Sequence, residues 1–367
     1  MRKEYETIII GGGAVGSSIA YHLSEAGADG IVVIDEGFPL CGASGATQAW
    51  VWVHTKTPSW YGELSFYSAE LYKDLHRKLG NIEYRRTGGI CPFFTESERD
   101  AAKSLVESQA PVGIDIEILD RDEALRREPA LSKNILGATY CALDGNVNPL
   151  RLVQQYMRMA KKQGVAYEMY NRVISIEKNQ GAFRIETQKG AVSCTNVVIC
   201  AGVHASKVGK MLGVNIPVRP VRGQVIITEA VAPLLRHTLA PGYASRARMV
   251  GMRQTVNGEI LIGYSKEEAG FDKSTTLDIL SQAAQLGIKI MPDLAKAKVI
   301  RSFGGLRPMP QDGYPILGPV PGVDNLFLAV MHSGVTLSPL VGTLMTELLQ
   351  HRETSIGIER LSISRFA

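Results

Sequence analysis

TIIIGGGAVGSSIAYHL, Thr7 to Leu23, runs a β-branched segment straight into a cluster of glycines. Beyond them Val15, Ile19, Leu23 and Ala26 recur at helical spacing. GIVVIDEG, Gly30 to Gly37, is then a second apolar strand that ends in acid. Strand, glycine turn, helix and strand make a βαβ opening, which implies a parallel sheet and a right-handed crossover. Gly11, Gly13 and Gly16 give the pattern G-x-G-x-x-G. The first allows a tight turn, the second lets backbone approach a pyrophosphate, and the third lets helix and strand pack closely. The helix N-terminus, with Ala14 and Val15, offers free N–H groups and a positive dipole end to phosphate. Asp35 follows Gly16 by 19 residues, where a carboxylate can hold ribose hydroxyls, and Glu36 competes for that role. A glycine turn with no ligand is the plain alternative. Strand before, helix after and acid at this distance favour a dinucleotide, either NAD or FAD.

The 367 residues exceed one ordinary domain, and 45% hydrophobic with 21% charged residues is the balance of a globular protein. A net charge of +4, evenly spread and without a basic tract interleaved with aromatics, argues against nucleic acid. The longest apolar runs, TNVVICAG (Thr195–Gly202) and NLFLAVM (Asn325–Met331), are far short of a membrane span. MRKEYE leads straight into the first strand and leaves no room for a signal peptide. Cys41, Cys91, Cys141, Cys194 and Cys200 form no C-x-x-C pair and stand at no zinc-ligand spacing. Scattered thiols in odd number fit a reducing cytoplasm, with no metal site and no iron–sulfur cluster in this chain.

Along the chain, Gly62–Gly80 reads as an amphipathic helix and Ile82–Phe94 as a hairpin broken by Gly-Gly. Asn148–Val165 is another helix, and Tyr170–Gly202 alternates strands and turns before an apolar strand. From Pro217 to about Arg301 the pattern becomes antiparallel, with Asn257-Gly258 as a hairpin turn. Strand, loop and helix return at the C-terminal end. The fold expected is α/β: a discontinuous Rossmann-type domain from residues 1–81, 142–216 and 302–367, with residues 82–141 and 217–301 as an inserted substrate domain on a mainly antiparallel sheet.

Distant segments read together separate NAD from FAD. GASGATQAW (Gly42–Trp50) resembles the G-x-S-G segment of the D-amino-acid oxidase family of flavoproteins. TNVVICAG resembles that family's strand ending in Ala-Gly, and PVRGQ (Pro220–Gln224) the start of its substrate domain. GGLRPMPQDGYPILGPV (Gly304–Val320) and MHSGVTLSP (Met331–Pro339) resemble its C-terminal signature. The match runs in order over essentially the whole chain. Among members it looks similar to glycine oxidase and to the flavin-bearing β subunits of hydroxyproline, proline and opine dehydrogenases. The resemblance implies FAD, held without a covalent bond because no Cys or His stands where flavinylated relatives attach it. It implies contacts to FAD from Ala43, Ser44 and Gln48, from Val173, Ala201 and Gly202, from Gly305 and Arg307, and from Ser333, Gly334, Val335 and Thr336. It also implies oxidation of an amine beside a carboxylate, by hydride transfer to flavin N5, to an imine that water hydrolyses.

Such a transfer needs orientation above all. Arg307 matches the family's carboxylate-binding arginine, whose planar fork makes two charge-assisted hydrogen bonds; pairing with Asp312 across the turn is the structural alternative. In HSGVTLSP the loop N–H groups of Gly334–Thr336 are expected to face the flavin pyrimidine, with Pro339 in the first turn of the following helix. His332 either meets the flavin through backbone alone or lines the site with its side chain. WVWVHTKTPSWY (Trp50–Tyr61) is either a wall of the active site, with His54 near the flavin, or interdomain packing, to which Trp60 is assigned. Ala49 stands where many relatives have glycine. ASRARMVGMRQT (Ala244–Thr255) lacks the tyrosine that glycine oxidase would lead one to expect, and Tyr243 comes several residues too early. A bulky or cyclic secondary amine is therefore the expected substrate. The expected role is catalytic β subunit of a dehydrogenase, with a partner subunit carrying an iron–sulfur cluster or a further flavin. The alternatives are a stand-alone oxidase using oxygen, a 2-hydroxy-acid oxidase, and a flavoprotein subunit in which FAD only relays electrons.

Overall fold

The structure, a computed structural model, describes residues 3–179, 181–240 and 250–367. Strand β1 (Glu4–Ile10), helix α1 (Ala14–Glu25) and strand β2 (Ile31–Ile34) form the opening βαβ unit, with the strands parallel. Ile8 to Ile10 and all of β2 are buried, as befits strands covered on both faces. The chain then leaves through β3 (Trp50–Val51), α2 (Ser59–Leu79), β4 (Gly89–Phe93), α3 (Glu96–Gln109), β5 (Glu117–Asp120), α4 (Arg121–Arg127), β6 (Gly137–Cys141) and β7 (Gly145–Asn146). It returns through α5 (Pro149–Lys162), β8 (Ala166–Glu168), β9 (Val173–Asn179), β10 (Ala182–Thr187), β11 (Gly190–Ile199) and α6 (Ala205–Lys210). A second excursion holds β12 (Val218–Ala230), β13 (Thr238–Leu239), β14 (Gly251–Gln254), β15 (Glu259–Glu267), α7 (Leu277–Ile290) and β16 (Val299–Pro310). The strands β17 (Ile316–Pro319) and β18 (Leu326–Val330) and helix α8 (Gly334–Leu349) follow.

Two eight-stranded sheets result, giving the mixed α/β fold expected. The first has the order β17-β18-β11-β1-β2-β8, with the β9–β10 hairpin against β11, and is parallel from β18 to β8. The second has the order β16-β12-β15-β14-β13-β4-β6-β5 and is antiparallel apart from the β13–β4 pair. β16 pairs with β12 from Val299 to Pro310, so Arg307 is carried by the second sheet. Helices α1, α2, α5 and α8 cover one face of the first sheet in a core that includes Tyr21, Tyr72, Tyr156 and Leu344. α5 shows how locally this is encoded. Asn148 caps it by accepting from the N–H groups of Leu150 and Arg151, Pro149 takes the first position, and Leu152, Val153, Tyr156 and Ala160 form its buried stripe.

Helix α8 departs from expectation. It begins at Gly334, so Pro339 lies inside it rather than in its first turn. A proline there removes one backbone donor and crowds the carbonyl four residues earlier, that of Val335. The Val335 carbonyl instead accepts from the Tyr72 hydroxyl and from Ser338 Oγ. One turn back on α2, Ser68 Oγ donates to the Thr336 carbonyl at 2.7 Å and accepts from the Leu340 N–H at 3.3 Å. Ser68 and Tyr72, four residues apart on one face of α2, thus complete the hydrogen bonding of a helix that proline interrupts.

Candidate active site

A cavity of about 1220 Å³ opens between the two sheets. Its upper wall is the C-terminal edge of the parallel strands, where open α/β sheets bind ligands: Ile10 and Gly11, Ile34 and Asp35, Cys200 and Ala201, Ala329 and Met331. Its floor is one face of β12, β14, β15 and β16.

The residues at the upper wall fit a dinucleotide. A Cβ on Gly11 would come 2.5 Å from the Cys200 carbonyl oxygen, and one on Gly16 would come 2.0 Å from the Gly11 carbonyl oxygen. Gly11 also has φ 111°, in the region that favours glycine. The first and third glycines therefore do what the pattern requires of them. Gly13 is the N-cap of α1 and offers no side chain there, while Ser44 Oγ accepts from the Ala14 N–H at 2.9 Å. Gly11, Gly13, Ala14, Val15, Ala43, Ser44 and Gln48 all line the cavity, as do Val173, Ala201, Gly202 and Gly305; Gly16 is packed behind them against the Gly11 carbonyl. The Asp35 carboxylate accepts from the Gly12 N–H at 2.7 Å and the Gly37 N–H at 2.9 Å. Glu36 pairs with Arg172 at 3.1 Å and lies 3.6 Å from His204. Both acids line the cavity, and Asp35 is the one tied into the glycine turn.

On the floor, Gly263 and Gly251 are occupied from above. A Cβ on Gly263 would strike the Gln48 amide at 1.7 Å, and one on Gly251 the Trp50 indole at 2.0 Å. Gln48 Nε2 donates to the Gly251 carbonyl at 3.0 Å. Trp50 Nε1 is buried with no hydrogen-bond partner among the described residues, in the lining of a ligand-sized space. Tyr243 lies outside the described residues. Ala49 has φ 54°, in the left-handed region that favours glycine, the residue the family resemblance led one to expect there.

Arg307 lines the cavity with its guanidinium over Gly223, whose absent Cβ would lie 2.2 Å from it. It donates to the Ser265 carbonyl at 3.1 Å. Asp312 is not its partner, for Arg365 holds that carboxylate at 2.7 Å. Burial holds the Arg307 pKa below the ordinary arginine value, and the charge of Glu267 works against that shift. Opposite stands the loop before α8. Ser333 is its N-cap at φ 64° with no side-chain cap, so the first-turn N–H groups of Gly334, Val335 and Thr336, all cavity residues, have no intrahelical acceptor. Lys56 Nζ reaches Ser333 Oγ at 2.5 Å, and the Tyr61 hydroxyl donates to the same oxygen at 3.2 Å. His332 also lines the cavity, and its pKa is pushed well below the usual histidine value by burial and by the charges of Lys56, Arg307 and Lys266.

His54 is a correction. Its side chain is fully buried, outside the cavity lining. Nε2 bonds Thr139 Oγ1 at 2.8 Å, and Nδ1 lies 3.3 Å from Asp144 Oδ2. Asp144 also accepts from the Val53 and His54 N–H groups, and the imidazole stacks on Trp52 with centroids 5.5 Å apart. Trp52 lines the cavity, so His54 supports the wall without touching what the wall encloses. Trp60 packs on Tyr314, centroids 4.9 Å apart, and both residues fall within the segments assigned to the Rossmann-type domain rather than across a domain boundary.

A profile of the DAO family, described as FAD dependent oxidoreductase, matches residues 6–348. The chain belongs to this family. As a DAO-family member it is an FAD-dependent oxidoreductase of the amine- and amino-acid-oxidising kind, and FAD is its cofactor. An opine oxidase subunit from Rhizobium meliloti is 31% identical over 91% of this chain and 90% of that one. The hydrogen cyanide synthase subunit HcnC of Pseudomonas aeruginosa is 29% identical over 100% and 97%. The crystal structure of glycine oxidase from Geobacillus kaustophilus superposes with a TM-score of 0.93 at 26% identity, covering 99% of each chain. No helix among the described residues is long and apolar enough to cross a membrane.

Sequence reasoning did not single out Lys56, Tyr61 or Arg253 as cavity residues. For Arg253 a signal existed: an arginine on a short strand whose residues are otherwise apolar or uncharged, GMRQ, all four of them buried. Lys56 carried none, because only the tertiary fold brings it to Ser333.

Proposed function

We propose that this protein oxidises a secondary amino or imino acid of the proline, hydroxyproline or opine kind, as the flavin-bearing catalytic subunit of a dehydrogenase. One observation carries the reading. Arg307, which matches the family's carboxylate-binding arginine by motif, presents its guanidinium to the cavity without a carboxylate partner among the described residues. Its planar fork takes the substrate carboxylate through paired charge-assisted hydrogen bonds and orients the α-carbon for transfer. Burial first, and then the charges of Lys56, Arg307 and Lys266, hold the His332 pKa well below its usual value, and the same charges disfavour an ammonium ion beside them. FAD, when bound, would supply the acceptor for a hydride, which carries both electrons of the oxidation. The unpaired N–H groups of Gly334–Thr336 and the Lys56 ammonium set positive charge opposite, where added electrons are stabilised. Trp50 over Gly251 gives the floor an apolar surface that suits a ring or an N-substituent. The subunit role is supported by likeness over nine-tenths or more of the chain to proteins that are themselves named subunits.

The test is anaerobic titration of the purified flavoprotein with glycine, sarcosine, both prolines, hydroxyproline and an opine, followed by admission of air. Bleaching by secondary amines with slow recolouring is the expected result. Bleaching by primary amines or 2-hydroxy acids alone overturns the substrate class, and fast recolouring overturns the dehydrogenase role.

A further inference from the structure

One carboxylate needs one arginine, yet the cavity holds a second buried arginine. Arg253 on β14 is 7% exposed and lines the cavity, and its Nε has no hydrogen-bond partner among the described residues. Two acids have charges that reach it, Glu83 and Glu259. Glu83 is held by Arg151 at 2.6 Å and Asn148 at 2.9 Å, and Glu259 by Thr255. Arg85, bonded to the Gln254 carbonyl and Asn146, adds a repelling positive charge. Burial and that repulsion bring the Arg253 pKa down to about 10. A buried cation whose neighbouring acids are held by other partners is poorly compensated, and an anion delivered to it is correspondingly welcome.

The sheet register sets the two arginines in one space. Arg253 stands opposite Leu261, which stands opposite Ile227. Four residues before Ile227 on the same strand is Gly223, under the Arg307 guanidinium. Even spacing keeps these positions on one face, and strand geometry puts Gly223 and Arg253 roughly 16 Å apart, two strands across and four residues along. Gly263 and Gly251, carrying Gln48 and Trp50, lie between.

We propose that Arg253 is a second anion subsite, which takes a distal carboxylate of the amine substrate while Arg307 holds the one beside the oxidised carbon. The substrate is then a dicarboxylic secondary amine whose second carboxylate is several bonds away. Glu83 and Glu259 at the same end of the cavity favour a monoanionic carboxylate over a dianionic phosphate. This rests on the role given to Arg307.

The test uses non-oxidisable ligands on the FAD-loaded protein: a homologous series of linear alkanedioates against alkanoates of equal length, with binding read by perturbation of the flavin absorbance and by calorimetry. At one chain length the dioate is expected to bind about tenfold or more tightly than the alkanoate, the worth of a charged hydrogen bond. Arg253→Gln should bring that ratio to about one, Arg253→Lys should keep part of it, and Arg307→Lys should weaken both ligands. A ratio of one at every length, or a ratio that survives Arg253→Gln, overturns the subsite. An ω-phosphonoalkanoate that binds more tightly than the dioate overturns the choice of carboxylate. Alkanoates that bind normally while the ratio is one leave Arg307 standing, whereas alkanoates indifferent to Arg307→Lys sink the reading beneath the proposal.

Discussion

Arg307 and His54 show what a side chain's surroundings decide. Arg307 belongs to a segment that resembles the family and His54 to the aromatic stretch that follows another, but Arg307 meets a backbone carbonyl and open space, whereas His54 has Thr139, Asp144 and Trp52 around it. Arg307→Lys keeps the charge and loses the fork, so kcat/KM for the amine is expected to fall about 10- to 150-fold, the range for a hydrogen bond to a charged group. Steady-state kinetics checks it, with the FAD-to-protein ratio measured alongside to separate lost substrate from lost cofactor. His54→Phe should act differently: the buried Thr139 hydroxyl loses its 2.8 Å hydrogen bond to the imidazole, and stability falls by about 1–3 kcal/mol in denaturant unfolding.

At the scale of elements, the junction of α2 and α8 holds the Ser333–Thr336 turn that lines the cavity. Pro339 costs the helix a bond, the Tyr72 hydroxyl fills the Val335 carbonyl it leaves, and Ser68 bonds the Thr336 carbonyl and the Leu340 N–H beside it. Burial pushes the Tyr72 hydroxyl pKa well up, so it stays a neutral donor. Ser68→Ala leaves the Thr336 carbonyl without this donor and the Leu340 N–H without this acceptor, and should cost about 1–3 kcal/mol. Because Thr336 is in the first turn of α8, the same change should weaken FAD binding, measured by equilibrium dialysis against apoprotein. A full-strength FAD affinity in Ser68→Ala would show that the loop does not depend on α2.

For the whole molecule, pH sensitivity follows from two histidines held neutral. Burial brings the His22 pKa to about 4 from 6.5, and burial among cations pushes that of His332 well below 6.5. Below pH 6.5 the unfolded chain binds protons that the native one refuses, so stability is complete above that value and falls as pH drops towards 4. The loss from His22 is on the order of 2–3 kcal/mol, and His22→Gln should flatten the profile in denaturant unfolding across this range. The opening βαβ unit, the glycines, the α5 cap and the family motifs were legible because each depends on neighbours in sequence. Fold class and cofactor therefore followed from the sequence by itself. The burial of His54, the placing of Pro339 inside α8, the approach of Lys56 to Ser333 and the exposure of Arg253 to the cavity depend on partners brought together only by folding. Asp144 is 90 residues from His54, Ser68 is 268 from Thr336, and Ser333 is 277 from Lys56. Local patterns settle which segments become strands, helices and phosphate turns, whereas tertiary packing alone decides which polar groups find partners and which are left facing the cavity for a ligand.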